Sequence, residues 1–197
     1  MKTIAFSLML LLSSAGASAG VIGFDDLPGD ETEAIANGYQ GFDWDNFGAI
    51  RADAIPGSGY AAGTVSFANT AFNRDGGIAA ISKAGGFNFA GAWFTSAWLE
   101  QELAFDGWRD GQLLYSTTAS YVLDTTTPLW IGLGWSGIDT LVIYNSSRTQ
   151  WAMDDFTVPE PATLGLFATA LAALAMSRRS EARKKNGSSR ISGMNLL

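Results

Sequence analysis

The 197-residue chain contains neither cysteine nor histidine. Without cysteine, an exported domain has to be stable without disulfide bonds. Without histidine, the Ser-His-Asp and Cys-His arrangements of nucleophilic catalysis are excluded, and so are zinc or iron sites built on histidine ligands. Chemistry based on carboxylates is not excluded by these absences.

Positive charge is scarce in the central part of the chain. Residues 20–158 contain 17 Asp and Glu but only five Lys and Arg, which gives a net charge of −12. Nucleic-acid binding needs clustered cations that neutralise phosphates, so this composition predicts no nucleic-acid partner. An acidic domain suits calcium, polar glycans and solubility instead.

The N-terminus has the three-part layout of a secretory signal peptide. Lys2 precedes an apolar run at 4–12, and small residues including Ala17 and Ala19 follow. This Ala-x-Ala pattern predicts cleavage after Ala19 and removal of residues 1–19. The apolar run is too short for a first membrane-spanning helix.

The C-terminus carries a second apolar segment. Residues 162–176 contain no charge, and Arg178 and Arg179 follow them. A helix of this length rises about 22 Å, short of a hydrocarbon core of roughly 30 Å, but flanking arginines extend its reach. We therefore predict a single transmembrane helix over about 162–178, which begins after Pro161. The basic residues would stay in the cytoplasm and the domain would face outward.

The residues around this helix resemble the PEP-CTERM sorting signal. The sequence at 158–164 reads Val-Pro-Glu-Pro-Ala-Thr-Leu, and the motif residues are Pro159, Glu160, Pro161, Arg178 and Arg179. The resemblance implies export, transient anchoring in the membrane, and recognition by an exosortase that cleaves at or near Pro-Glu-Pro. It also implies that the domain then reaches the cell envelope or surface, or is secreted.

This resemblance divides the C-terminal part of the chain into two segments. Residues 158–180 form the sorting signal with its transmembrane helix. Residues 181–197 continue beyond the point where the family usually stops, and their basic and polar composition predicts a disordered cytoplasmic tail.

Residues 20–157 are predicted to form one all-β domain. Short runs rich in aromatic and β-branched residues alternate with turns marked by Gly, Asn and Asp. The candidate strands are 21–27, 60–67, 78–82, 86–98, 102–108, 112–123, 129–133, 138–144 and 150–158. Their number and spacing predict a jelly-roll-type β-sandwich. A helix is expected over residues 30–36, where Glu31 and Glu33 would lie in its first turn.

Two aspartate pairs lie in the first and last predicted strands. In a jelly roll these strands are commonly neighbours, and four carboxylates in one place favour a bound cation. The candidate ligands of a structural Ca²⁺ are Asp25, Asp26, Asp154 and Asp155, with Asp139 as a weaker candidate. The alternative is that one member of each pair is a solvated surface charge, because neighbours in a strand face opposite sides.

Exposed aromatic rings stack on sugar rings, and three residues are candidates for this role: Tyr39, Trp44 and Trp108. For Phe42, Trp44 and Phe47 the sequence favours the alternative, burial in the core. Core positions are also expected for Trp93, Trp98, Trp130 and Trp135, which lie in or beside strand runs.

The body of the chain also resembles the β-sandwich domains that precede PEP-CTERM tails, and galactose-binding-like carbohydrate modules. The matching stretches are Phe-Asp-Asp-Leu at 24–27, Asn-Gly-Tyr-Gln-Gly-Phe at 37–42, Trp-Asp-Asn-Phe at 44–47, Gly-Ile-Asp at 137–139 and Met-Asp-Asp-Phe at 153–156. This resemblance implies a structural calcium near the chain ends.

Three functions compete at this point. The first is a non-catalytic exported protein that binds exopolysaccharide, and the second is a purely structural envelope or matrix protein. The third is a glycan hydrolase with a carboxylate pair, for which Glu100 and Glu102 would share one face of a strand. Since these two glutamates are better explained as solvated surface charges, we predict that the protein is not an enzyme.

Overall fold

The computed structural model describes residues 19–29 and 34–159. Within residues 19–159 the described residues form one compact unit. Ala17, the predicted membrane helix and the motif residues Glu160, Pro161, Arg178 and Arg179 lie outside the described residues. Among the residues that are described, no helix is both long and apolar enough to cross a membrane.

The described residues form ten strands, one α-helix and one 3-10 turn. In chain order they are β1 (Ala19–Ile22), the 3-10 turn (Tyr39–Gly41), β2 (Asp43–Asp45), β3 (Phe47–Arg51), α1 (Gly59–Gly63), β4 (Asn69–Asn73), β5 (Ala79–Ser96), β6 (Gln101–Arg109), β7 (Gln112–Ser116), β8 (Tyr121–Leu123), β9 (Leu129–Asn145) and β10 (Trp151–Pro159). The strands pair antiparallel, in the order β3-β4-β10-β5-β9-β6-β7, with β1 on β10, β2 on β5 and β8 on β6.

Two long strands replace four of the predicted ones. The predicted pairs 78–82 with 86–98 and 129–133 with 138–144 are the two halves of β5 and β9. Gly85, Gly86, Gly134 and Gly137 have positive φ, as turn glycines do. Here they lie in strands that continue through them, and the β5–β9 register shifts between Ser82 and Gly91.

Two other features differ from the expectations, and the expected helix lies largely outside the described residues. Residues 60–67 do not form a strand, because Ser58 caps helix α1 by accepting a hydrogen bond from the Ala61 N–H at 3.5 Å. Strands β2, β3 and β4 were not predicted. The described end of the expected helix at 30–36 is extended: Ala34 bridges to Gly48, and the Ile35 N–H donates to the Phe47 carbonyl.

The bend in the β5–β9 pair turns the sheet into a sandwich. Phe105 in β6 is paired with Ile143, and Ile143 is paired with Ala79 at the start of β5. A straight strand would place Phe94 roughly 50 Å from Ala79. Instead the Phe94 and Phe105 rings are 5.4 Å apart, so the two halves of the long strands lie in facing layers.

The first layer contains β1, β3, β4, β10, the C-terminal half of β5 and the N-terminal half of β9. The second layer contains β2, β6, β7, β8 and the remaining halves of β5 and β9. The space between them holds the main core, which includes Trp44, Phe89, Phe94, Trp151 and Phe156. The all-β sandwich is therefore confirmed, whereas the finer jelly-roll type stays a prediction.

A smaller core lies on the outside of the first layer. Ala152 is next to Met153, which faces the main core, so Ala152 faces outward. There it packs with Ile50, Phe72 and Tyr60 of helix α1. The segment 52–68 thus covers part of the outer face of the first layer.

Candidate functional site

A pair of tryptophans lies on the outer face of the first layer. Phe94 and Met153 are paired and buried in the main core, so their strand neighbours Trp93 and Asp154 point to the opposite face. Trp93 is paired in turn with Trp130 of β9. The two rings are 5.6 Å apart with an interplanar angle of 64°, and Trp130 is 39% exposed.

Two glycines make room for the Trp130 ring against the sheet. A Cβ at Gly91 would lie 2.8 Å from Trp130 Cζ2, and one at Gly132 would lie 2.9 Å from its Nε1. Distances this short would displace the ring. Because both positions are glycine, the indole lies against the backbone, and its position is set by the sheet. A fixed, partly exposed ring of this kind offers a flat apolar surface to a ligand.

Beside this pair, the loop at 64–68 crosses β10. The Val65 and Ser66 N–H groups both donate to Asp154 Oδ2 at 2.7 Å, and the Ser66 hydroxyl donates to the same carboxylate at 3.0 Å. The loop then projects Phe67, whose side chain is 90% exposed. Ala68, which follows, has φ of 98°, a strained conformation for a residue with a Cβ.

A surface cavity of about 410 Å³ opens next to this loop. Phe67 lines it together with Arg51 and Asp53, whose side chains form a two-point ion pair of 2.9 and 2.6 Å. An exposed ring next to a donor and an acceptor pair provides both stacking and hydrogen bonding for a hydroxyl-rich ligand. We define the outer-face surface as Trp93, Trp130 and Phe67.

Asp154 gives the loop a pH-dependent attachment. Its side chain is fully buried, and burial raises the pKa of Asp154 to about 6, although hydrogen bonds from Ser66 and Asp155 act in the opposite direction. Between about pH 4 and 6 the folded state therefore binds this proton more tightly than the unfolded chain. This contribution to stability is complete below pH 4 and is lost as the pH rises through 6.

We expect the Asp154→Asn variant to lose this pH dependence. The wild type should lose up to about 3 kcal/mol of unfolding free energy between pH 4 and 7 relative to the variant. Urea unfolding of both proteins across this range measures the difference. Parallel stability curves would contradict the assignment, since the remaining carboxylates are common to both proteins.

The structure brings three of the four candidate calcium ligands close to Gly23. A Cβ at Gly23 would lie 3.3 Å from Asp25 Oδ2 and 3.7 Å from Asp155 Oδ1, and 2.8 Å from the Ser66 hydroxyl that bonds Asp154. This agrees with the pairing of the first and last strands, in which Ile22 is opposite Phe156.

These carboxylates do not form a set of metal ligands. Asp154 already accepts hydrogen bonds on both oxygens, Asp25 accepts one from the Asn69 N–H, and Asp26 turns away to bond Tyr39. Within residues 19–29 and 34–159, no group of three or more acidic side chains is arranged to hold a metal ion. The donors present therefore fit a calcium ion poorly, and the calcium site stays a prediction.

The three sequence-predicted sugar-stacking residues are not exposed platforms. Trp44 is 3% exposed and belongs to the main core, so it follows the favoured alternative of core burial and is not available as a stacking candidate. Tyr39 is half-buried, and its hydroxyl donates to Asp26 at 2.5 Å; burial and the Asp26 carboxylate raise the pKa of Tyr39 above its usual range. Trp108 is also half-buried, and its Nε1 is buried without a partner among the described residues.

Trp98 and Trp130, in contrast, were expected in the core and are exposed by 50% and 39%. For Trp130 the sequence does hold a signal, the Trp-Ile-Gly order at 130–132, and a Gly-Ala-Trp order at 91–93 mirrors it. Residues two apart in a strand share a face. A glycine two positions from a tryptophan therefore leaves space on that face for a ring lying against the sheet.

A polar cleft of about 380 Å³ lies elsewhere, between the second-layer strands. Arg109 donates to the Gly85 carbonyl at 3.3 Å and to Asp110 at 3.2 Å. The Asp110 N–H donates to Asp139, which lowers the pKa of Asp139. Arg109 and Asp110 are thus paired with each other, and Asp139 accepts a hydrogen bond from the backbone of the turn. Glu100 and Glu102 are both exposed on the surface.

Comparison with known protein families identifies the sorting signal. Residues 157–179 match the PEP-CTERM protein-sorting motif, so the chain carries this motif. No curated protein matches the chain.

The solved structures to which this chain is similar include two described below. One is the N-terminal CBM22-1–CBM22-2 tandem domain of Paenibacillus barcinonensis Xyn10C, at 10% identity and a TM-score of 0.41, over 75% of this chain and 46% of that one. Another is TmCBM61 in complex with β-1,4-galactotriose, at 12% identity and a TM-score of 0.34, over 71% of this chain and 99% of that one.

Proposed function

We propose that this is an exported, non-catalytic surface or extracellular-matrix protein that binds exopolysaccharide through the outer-face surface. The sorting motif at 157–179 supports the first part. In this proposal a transmembrane helix over about 162–178 anchors the chain until an exosortase processes it. The domain then remains in the envelope, on the surface, or is secreted.

The Trp93–Trp130 pair carries the binding part of the proposal. A sugar presents an apolar C–H face and a rim of hydroxyls, and the C–H face packs on an indole ring. Trp130 is held against Gly91 and Gly132, so little side-chain freedom is lost when a ligand binds. Phe67 and the Arg51–Asp53 pair would contact the chain further along the same face.

A purely structural role without a ligand is the second candidate. The burial of Phe42, Trp44 and Phe47 supports it, because this cluster is core. The net charge of −12 on residues 20–158 would keep such a domain hydrated and soluble. A glycan hydrolase is the least supported alternative, because Glu100 and Glu102 are exposed and line neither the cavity beside Phe67 nor the cleft beside Arg109.

The binding proposal predicts that Trp130→Ala weakens polysaccharide affinity at least tenfold, a loss of about 1.4 kcal/mol. Affinity gel electrophoresis of the mature protein in gels containing neutral or acidic polysaccharides measures it. Trp130→Phe should retain most of the binding, since a ring remains.

Trp98→Ala is the matched control. Trp98 is 50% exposed, compared with 39% for Trp130. It lies five residues after Trp93 in the chain, and its ring packs against Tyr60. It should bind as the wild type does. Equal mobility of wild type and Trp130→Ala in every gel that retards the wild type would refute the site, and no retardation in any gel favours the structural role.

A further inference from the structure

The two ends of the domain are paired with each other. In the β1–β10 ladder, Ala19 is opposite Pro159, Gly20 is opposite Val158, and Val21 is opposite Thr157. Ala19 is the last residue of the predicted signal peptide, and Thr157 is the first residue of the sorting-motif match. The end of the predicted signal peptide and the start of the sorting-motif match therefore lie two residues apart in one ladder.

Residues 157–159 consequently belong both to the sheet and to the sorting motif. Thr157 is held from two sides, by Val21 of β1 and by Gly91 of β5. Its hydroxyl also donates to the Asp155 carbonyl at 2.8 Å. Among the described strands, Val158 and Pro159 pair only with β1, and the Val158 side chain also packs against the main core.

The ladder is anchored to the core at its other end. Ile22 is paired with Phe156, and both side chains are buried, Phe156 completely. Removal of residues 1–19 would leave Gly20, Val21 and Ile22 to continue this ladder. Strand β1 therefore keeps its anchor and covers β10 after the signal peptide has been removed.

A peptidase binds its substrate as an extended segment with free backbone edges, in the manner of an added strand. A residue paired on both sides presents no such edge, and a residue paired on one side has to leave the ladder before an active site can enclose it. In the domain without its signal peptide, Thr157 has both edges occupied, and Val158 has one edge occupied by Gly20. Pro159 loses its partner Ala19 together with the signal peptide.

We propose that strand β1 covers the first two residues of the sorting motif, Thr157 and Val158, so that the folded domain is cut on the C-terminal side of Val158. The inference rests on the proposed processing. In that step one peptide bond breaks, water supplies a hydroxyl to the carbonyl carbon and a proton to the leaving nitrogen, and the released domain ends in a new carboxylate. The part of β10 that is paired with β1 then stays in the product.

The test compares Val21→Pro with Val122→Pro in the full chain. Both valines are 55% exposed and lie inside short peripheral strands, but Val122 of β8 is paired with β6. Proline disfavours a regular strand through its fixed φ. It should therefore open the β1–β10 ladder in the first variant and leave it closed in the second.

Thermolysin, which cuts before apolar residues, probes the cover directly. We expect cleavage of the Thr157–Val158 bond to be at least tenfold faster in Val21→Pro than in the wild type, and unchanged in Val122→Pro. Equal cleavage rates in the wild type and Val21→Pro would overturn the covering role of β1.

The position of the cut is read from the intact mass of the mature wild-type protein, made in a host that has the sorting enzyme. The mature chain should retain Val158. A chain ending at Thr157 or earlier would overturn the inference while leaving the sorting proposal intact. A mass unaffected by replacing Pro159, Glu160 and Pro161 would instead refute processing, and the thermolysin result would still decide the role of β1.

Discussion

Replacing Phe156 by alanine should lower the free energy of unfolding by about 3–5 kcal/mol, the usual cost of removing a buried phenylalanine ring. Phe156 is completely buried. It contacts rings from both layers: Phe42 at 5.7 Å, Trp44 at 5.7 Å, Phe87 at 6.3 Å and Phe89 at 4.9 Å. The cavity would lie where β1, β2, β5 and β10 converge, so several rigid strands would have to move to fill it.

Urea unfolding of the mature protein, followed by tryptophan fluorescence, measures this loss. Phe67→Ala makes the same chemical change at a side chain that is 90% exposed. Its effect should stay within about 0.5 kcal/mol. A similar loss in the two variants would show that Phe156 does not bridge the layers.

Gly59→Ala should be destabilising by about 3 kcal/mol or more, the upper end for added volume in a packed site. Gly59 is the first residue of α1, and its N–H donates to the Ala97 carbonyl at 2.9 Å. A Cβ there would lie 1.7 Å from the Ser96 carbonyl oxygen. Because that atom belongs to the backbone of β5, α1 has to leave the sheet, and Tyr60 would leave the outer core with it.

Gly20→Ala is the control, since a Cβ at Gly20 meets the Val158 oxygen at an ordinary 3.7 Å. It should be nearly neutral in thermal unfolding, whereas Gly59→Ala should lower Tm by roughly 6 °C or more for a domain of this size. Equal Tm values for the two variants would mean that α1 is not held against β5.

Some of the fold could be predicted from local pattern. The alternation of apolar and polar residues, together with turn residues, identified the region of β6 and the two halves of β5 and β9. In a strand with one buried face, every second residue is apolar, so the pattern is visible in the sequence. The continuity of β5 through Gly85 and Gly86 could not be predicted. A glycine with positive φ is compatible with both a turn and a β-bulge, and which of the two forms depends on the pairing with the neighbouring strand.

The candidate site was less predictable than the fold. Residues 60–67 have the composition of a strand, yet Ser58 begins a helix and the Asp154 carboxylate fixes the following loop. Asp154 is 89 residues away from Val65 and 88 residues away from Ser66 in the chain. No local sequence pattern predicts a hydrogen bond between residues so far apart in the chain.

The sequence by itself determined the sorting motif and the acidic composition of the body. It also excluded histidine- and cysteine-based chemistry. These depend on which residues are present and in what order. Tertiary structure decided which tryptophans are available to a ligand. Trp44 and Trp130 both lie in strands, but a strand has two faces, and packing of distant segments covers one face and leaves the other open.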